Sequence, residues 1–379
     1  VRVTEAQAYF HEILDPILTS TPEAAALYAP EGRRLVEGDT FRYPEMSDAL
    51  ERFAADGAEP FYRGETARLV CDWVRARGGT LGLDDLRAYE PIERRPVKAR
   101  FRGHDVLTNA PPSSGGILIA FSLGVLDRLG DRSGVEQIVA ATEAANARRT
   151  DHFHEGLHDE DYVERFLAAD LDEVAKRIRA GEWVGGAGGA GGPADRLGST
   201  THLAVLDGEG NCASVTCSNG TGSGVVVPGT GVHVNNMLGE EDLNPQGFHL
   251  IPAGRRVSSM MSPTLALRDG EVVLGLGSAG SNRIRSAILQ TVVRVLEEGM
   301  DAGDAVRAGR IHFEAGTVQA EPGVEEEGLA DLERRGVPVV RWKRENLFFG
   351  GAQAVARDPE TGELSGGGDP RRGGAVVLA

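Results

Sequence analysis

Thr200 opens the run Thr-Thr-His-Leu-Ala-Val-Leu, directly downstream of a glycine-alanine tract at 185–193. A threonine hydroxyl is a weak nucleophile and needs a base and a site for negative charge. A base is available within the residue itself if the bond before it is cut. A free α-amine has a pKa of about 7.7 to 8.0, so it is partly neutral near pH 7 and can accept a proton. The bond to be cut is Ser199–Thr200. The tract upstream has no side chains to pack and reads as a flexible linker, which gives a cut end room to move. The plainer alternative is that Thr200 only begins a strand.

The stretch "THLAVLDGEGNCASVT" is a hairpin signal, with two alternating runs around Asp207-Gly208-Glu209-Gly210-Asn211. A turn centred on Glu209 sets Thr200 opposite Ser218, and cross-strand Cβ atoms lie about 4.5 to 5.5 Å apart. A second hydroxyl then stands beside the first. A slip of one residue would break that pairing. His202 shares the face of Thr200; a packed, hydrogen-bonded strand histidine is favoured over a catalytic base. Cys212 and Cys217 are read as strand packing.

A second hairpin, "LALRDGEVVLGLG", turns at Asp269-Gly270 and runs into "GSAGSNRIRSAILQTVVRVLEEG". Gly277 to Asn282 form a small-residue turn before a helix, where backbone N–H groups and the positive helix end face outward. The N–H groups of Gly280 and Ser281 are candidate oxyanion donors for acyl transfer. Gly275, Gly277 and Gly280 also spell G-x-G-x-x-G. A dinucleotide site needs a parallel βαβ crossover, whereas this strand belongs to a short hairpin, so that use is set aside.

These groups need a frame. The chain has 379 residues, 41% of them apolar, enough for two domains or one large core. A net charge of −17 argues against nucleic acid. Three cysteines, Cys71, Cys212 and Cys217, form neither a disulfide framework nor a zinc spacing. No apolar run reaches the roughly 18 to 20 residues of a membrane span, so no membrane partner is expected. "VRVTEAQAYF" has no signal-peptide pattern, and a cytoplasmic location is slightly favoured over a secreted one. The chain reads as a fragment or processed product.

Residues 4 to about 180 read mostly helical, with a strand pair around Arg102-Gly103 and a helix opened by Ser113-Ser114. From about 199 the period shifts to two, and residues 200 to 276 read mostly as strands. A helix from Arg283 to Glu298 follows, then strands around "DPETGEL". His152, His154 and His158 lie near acidic residues. A solvated helix end explains them better than a metal.

Taken together, these motifs resemble the gamma-glutamyltransferase family of N-terminal nucleophile hydrolases, over nearly the whole chain. "APPSSGG" at 110–116, "STTHLAVLDGEGNCASVT", "GRRVSSMMSPTLALRDG", "GSAGSNRI" and "GGGDPRRGG" stand in the family's order. The resemblance implies a four-layer αββα fold of the α+β class. It also implies autocatalytic cleavage between Ser199 and Thr200, and an acyl-enzyme on Thr200. Residues 1–199 would be part of the large subunit and 200–379 the small subunit. Ser218 matches the supporting hydroxyl, with Ser in place of Thr. Gly280 and Ser281 match the oxyanion pair, with Ser in place of the second Gly. Asn219, Asn236, Glu240, Ser258 and Ser259 match substrate-binding positions; Glu240 replaces an Asp, and Met237 stands where the family is usually polar.

The stretch from Asp242 to Arg255 is too short for the family's long lid loop, which implies a more open site. No residue here matches the arginine that the family brings to the substrate carboxylate. The resemblance therefore implies a γ-glutamyl or related acyl amide as donor and an amino acid or water as acceptor. No cofactor and no metal are expected, and a homo-oligomer is compatible. An acylase for other amides, or a non-catalytic binding protein, is the alternative.

Overall fold

The computed structural model describes residues 1–378 except 131, 169, 183–199, 241–242 and 245. The expected linker at 185–193 and Ser199 lie outside the described residues. The strands in chain order are β1 (Val97–Phe101), β2 (His104–Thr108), β3 (Thr200–Leu206), β4 (Cys212–Ser218), β5 (Val226–Val227), β6 (Val232–His233), β7 (Thr264–Arg268), β8 (Glu271–Ala279), β9 (Ile311–Glu314), β10 (Thr317–Ala320), β11 (Val339–Arg341), β12 (Gly351–Arg357) and β13 (Leu364–Gly368). Packing divides the chain into two compact units, one of residues 1–94 with 219–237 and one of residues 95–218 with 238–379. The boundary expected at 199–200, a cleavage site by resemblance, falls inside the second unit.

The second unit is built on a six-stranded antiparallel sheet in the order β1-β2-β7-β8-β12-β13. Its hairpin turn at Asp269-Gly270 has φ of +53° and +91°, the conformation that Asp-Gly adopts readily. Helices Ser114–Leu129 and Arg283–Leu296 pack against this sheet. The first is apolar all round, and almost every residue of it is buried, which suits a helix with core on all sides. Gly115 and Gly116 let its first turn approach backbone closely: a Cβ there would lie 2.3 Å from Met260 O and from Asn109 O respectively.

The β3–β4 hairpin packs against β8 and β12. Its inward side chains meet glycines of β8. A Cβ at Gly275 would lie 2.4 Å from Cys212 Sγ, and one at Gly277 would lie 2.3 Å from His202 Nδ1. Bare backbone at those two positions is what admits the hairpin's side chains. The outward residues Leu203, Val205 and Val215 remain 57%, 60% and 47% exposed. Among the described residues, helices, large sheet and hairpin account for three layers of this unit. The expected fourth layer, helical and outside the hairpin, is not seen over these residues. The observed class is mixed helix and sheet.

The strand-rich stretch expected from 200 to 276 holds only at its ends. Between β4 and β7 the regular elements with described bounds are β5, β6 and a 3₁₀ turn at Met237–Gly239. Gly, Pro, Asn and Asp dominate that segment and favour turns over ladders. A three-stranded sheet, β11-β10-β9, forms a smaller core with helix Glu326–Arg334 and with Val135 and Val139. The first unit is mostly helical, with Glu5–Ile13, Pro22–Tyr28, Pro44–Asp56 and Glu65–Arg75 beside the short β5–β6 ribbon.

Candidate active site

Thr200 is the first residue of β3 and pairs with Ser218, the last residue of β4. The turn centred on Glu209 sets this register, with Asp207 Oδ1 accepting from the backbone N–H groups of Glu209 and Asn211. Thr200 Oγ1 and Ser218 Oγ lie 3.0 Å apart, at hydrogen-bond distance. Both residues are half-buried. Two residues further along β3, His202 is only 5% exposed. Its Nδ1 lies 2.8 Å from Thr216 Oγ1, and burial pushes its pKa down to about 4. It is therefore neutral at pH 7, and its Nδ1 is engaged with a strand neighbour.

The hairpin's direction relates Thr200 to the expected oxyanion turn. Cys212, paired with Leu206, lies over Gly275, and His202 lies over Gly277. Moving down β3 from Leu206 towards Thr200 thus follows β8 upwards, to Ala279 and on to Gly280 and Ser281. Both turn residues have positive φ, +124° for Gly280 and +54° for Ser281. The backbone kinks there before the helix at Arg283 begins. Gly280 also has no room for a side chain, since a Cβ would lie 2.9 Å from Gly350 Cα. Ser281 occupies a left-handed conformation that glycine adopts at no cost, which gives a physical reason for glycine at that position in the family the motifs resemble.

The remaining candidates divide between the two units. In the second unit, Ser259 Oγ donates to Ser113 Oγ at 3.3 Å, while Ser113 Oγ in turn reaches Ser259 O and Met261 O. The start of helix Ser114–Leu129 is thereby tied to the Ser258–Met261 segment. Glu240 O accepts from Asn244 Nδ2 at 2.7 Å. Ser258 lines a cavity of about 90 Å³ with His154, His158, Asn244, Arg255 and Arg256. Two guanidinium groups in that lining oppose a cation beside the histidines, and the described residues contain no group of three or more potential metal ligands. In the first unit, Asn236 Oδ1 accepts from Thr221 N at 2.8 Å, and Asn219 O accepts from Asn236 N at 3.4 Å. Asn219 and Asn236 thus belong to one hydrogen-bonded loop.

A cluster of buried charge was missed from the sequence. Arg310 pairs with Asp369 at 2.7 Å and Arg371 with Glu321 at 2.6 Å, with all four side chains buried. Asp369 Oδ2 also accepts from Ala352 N, which fastens the "DPRR" turn to β12. The paired arginines of "GGGDPRRGG" were the available signal, but spacing alone does not predict partners 50 residues away.

The gamma-glutamyltranspeptidase family model matches residues 1–379, the whole chain. The glutathione hydrolase proenzyme of Bacillus subtilis (strain 168) is 30% identical over 94% of this chain and 65% of its own length. The acylase ACY 1 proenzyme of Pseudomonas sp. (strain SE83) is 31% identical over 95% of this chain and 65% of its own. The chain thus spans 65% of the length of these relatives. Among solved structures, a cephalosporin acylase from Bacillus halodurans superposes with a TM-score of 0.80 at 25% identity, covering 100% of this chain and 71% of that one. A whole-chain match to one family, in a chain that sets Thr200 beside Ser218, leads to one conclusion: the chain belongs to the gamma-glutamyltranspeptidase family, within the N-terminal nucleophile hydrolases.

Proposed function

We propose that the protein cleaves itself at Ser199–Thr200 and then transfers or hydrolyses an acyl group, γ-glutamyl or a close analogue, through an ester on Thr200. The observation that carries this is the 3.0 Å contact between Thr200 Oγ1 and Ser218 Oγ at the head of the strand that leads towards the Gly280–Ser281 turn. In the maturing chain Thr200 Oγ1 attacks the carbonyl of residue 199. Collapse of the adduct breaks the C–N bond, leaving an ester and a free Thr200 amine. Water then hydrolyses the ester, which frees the hydroxyl and parts the two chains. In turnover that amine accepts the Oγ1 proton as the ester forms and returns it to the leaving amine. The N–H groups of Gly280 and Ser281 hold the oxyanion. Water or an amino acid amine then takes the acyl group and releases Thr200. Ser218 orients the hydroxyl. Asn219, Asn236, Glu240, Ser258 and Ser259 are assigned to the substrate's polar groups.

A second reading has specific support. Met237 stands where the family resemblance implies a polar, substrate-facing residue, and relatives named acylases stand beside those named glutathione hydrolases. An acyl group without the α-amino function of glutamate suits that change. Turnover of paired anilides on the full-length protein, one γ-glutamyl and one glutaryl, separates the two. A larger kcat/KM for the γ-glutamyl amide supports transpeptidase chemistry, and a larger one for the glutaryl amide supports the acylase. Turnover of neither, by processed protein, counts against both.

A further inference from the structure

The turn at Gly280 and Ser281 rests against a charged side chain that the reaction as drawn does not use. A Cβ built on Gly280 would lie 3.3 Å from Arg372 Nη2, so this guanidinium lies directly against the turn. The stem of Arg372 crosses Gly351, where a Cβ would lie 2.6 Å from Arg372 Cδ. Its Nη2 donates to Leu347 O at 3.2 Å. The same loop holds the next residue along the turn's helix, since Arg283 Nε donates to Phe348 O at 3.1 Å. On the other side, Asn282 Nδ2 donates to Glu314 Oε1 at 2.8 Å.

Arg372 is itself fixed in place. It ends a 3₁₀ turn, Pro370–Arg372, that is capped by Asp369, whose side chain accepts from Arg371 N. Asp369 and Arg371 are anchored in turn by Arg310 and Glu321. A cation is thus delivered to Gly280 by a rigid, buried support. Burial and the neighbouring Arg283 lower its pKa to about 10, so Arg372 stays charged at pH 7.

We propose that Arg372 is a positioning residue for the oxyanion turn: its guanidinium braces the Gly280 backbone and holds a fixed positive charge beside the peptide groups that receive the developing negative charge. Preorganised charge of this kind acts in the transition state more than in the ground state, so its loss falls on kcat rather than on KM. The inference rests on Thr200 as nucleophile and on Gly280–Ser281 as oxyanion donors.

The test uses the full-length protein and an anilide that it turns over, together with a boronic acid carrying the same acyl group as a tetrahedral mimic. Arg372→Gln keeps a donor for Leu347 O and removes the charge. Its kcat is expected to fall about 10- to 100-fold with KM within about 3-fold, and boronate affinity to weaken by a similar factor. Arg372→Lys, which restores the charge without the planar fork, is expected to recover at least about 5-fold of the lost kcat. Wild-type kcat and boronate affinity in folded Arg372→Gln protein overturn the proposal. If Arg372→Gln does not fold, Arg372→Lys decides. Folded Lys protein within about 10-fold of wild type supports the role, and a loss beyond about 100-fold contradicts it. Thr200→Ala separates the two levels of inference. If Thr200→Ala protein turns over the anilide, the proposed function fails. If it is inactive while Arg372→Gln matches wild type, only the role of Arg372 fails.

Discussion

His202 occupies space that Gly277 leaves empty. A side chain at 277 would begin 2.3 Å from the imidazole Nδ1, inside any allowed contact. This relationship seats the β3–β4 hairpin on the large sheet and orients β3 so that its Thr200 end leads towards Gly280. Gly277→Ala is therefore expected to destabilise the protein by about 1 to 3 kcal/mol through overpacking, and to reduce processing at residue 200. Denaturant unfolding and a maturation time course check both. Wild-type stability in the Ala variant would show that the hairpin shifts freely.

The buried imidazole also makes stability depend on pH. His202 has a pKa of about 4 in the folded chain, below the unfolded value near 6.5. Its contribution is complete above pH 6.5 and is lost as pH falls from 6.5 towards 4, because the unfolded chain takes up the proton first. The loss for this group is on the order of 2 to 3 kcal/mol. His154 is likewise lowered to about 4 and titrates over the same window. His202→Gln should shrink, not abolish, the fall in melting temperature between pH 6.5 and 4. An unchanged slope would assign the effect elsewhere.

Ser218 is held opposite Thr200 by the register of the hairpin. Ser218→Ala removes a hydroxyl 3.0 Å from the nucleophile and is expected to lower kcat by about 5- to 100-fold, the equivalent of about 1 to 3 kcal/mol. Ser218→Thr keeps the hydroxyl and should stay within about 5-fold of wild type. Steady-state kinetics on processed protein distinguish them. Equal activity in the Ala variant would remove Ser218 from the chemistry.

The Ser281 backbone is left-handed, with φ of +54°. Only its N–H is assigned to the oxyanion. Ser281→Gly is therefore expected to retain activity within about 3-fold and to gain up to about 1 kcal/mol in stability. A loss of activity beyond 10-fold would give the Ser281 hydroxyl a role of its own.

Asp369 accepts hydrogen bonds from Arg310, Arg371 and the Ala352 backbone while fully buried. Asp369→Asn leaves buried guanidinium charge short of its partner and is expected to cost about 3 to 5 kcal/mol. Chemical denaturation measures it; a cost below 1 kcal/mol would mean that neighbouring groups compensate.

Much of the site could be read in the sequence because it is local. The Thr200–Ser218 pairing follows from a turn whose centre is marked by Asp207-Gly208-Glu209-Gly210, and the structure gives that register. The hairpin at Asp269-Gly270 and the helices opening at Ser114 and Arg283 follow from the same short-range rules. What the sequence left hidden is long-range. Arg371 meets Glu321 from 50 residues away, and Arg372 reaches Gly280 from 92. The strand reading also ran too far between Asn219 and Pro263, because the glycines, prolines and asparagines there break the ladder and do not simply join longer strands. A helical layer outside Leu203, Val205 and Val215 was expected from resemblance, and nothing local in those strands specifies it.

The central claim is that Thr200 becomes an N-terminal nucleophile. Intact mass and N-terminal sequencing of full-length wild-type and Thr200→Ala protein test it most directly. Wild type is expected as two chains, the smaller beginning at Thr200, and Thr200→Ala as one uncut, inactive chain. Cleavage at the same bond in the Ala variant, or amide turnover by a wild-type chain that stays intact, contradicts it.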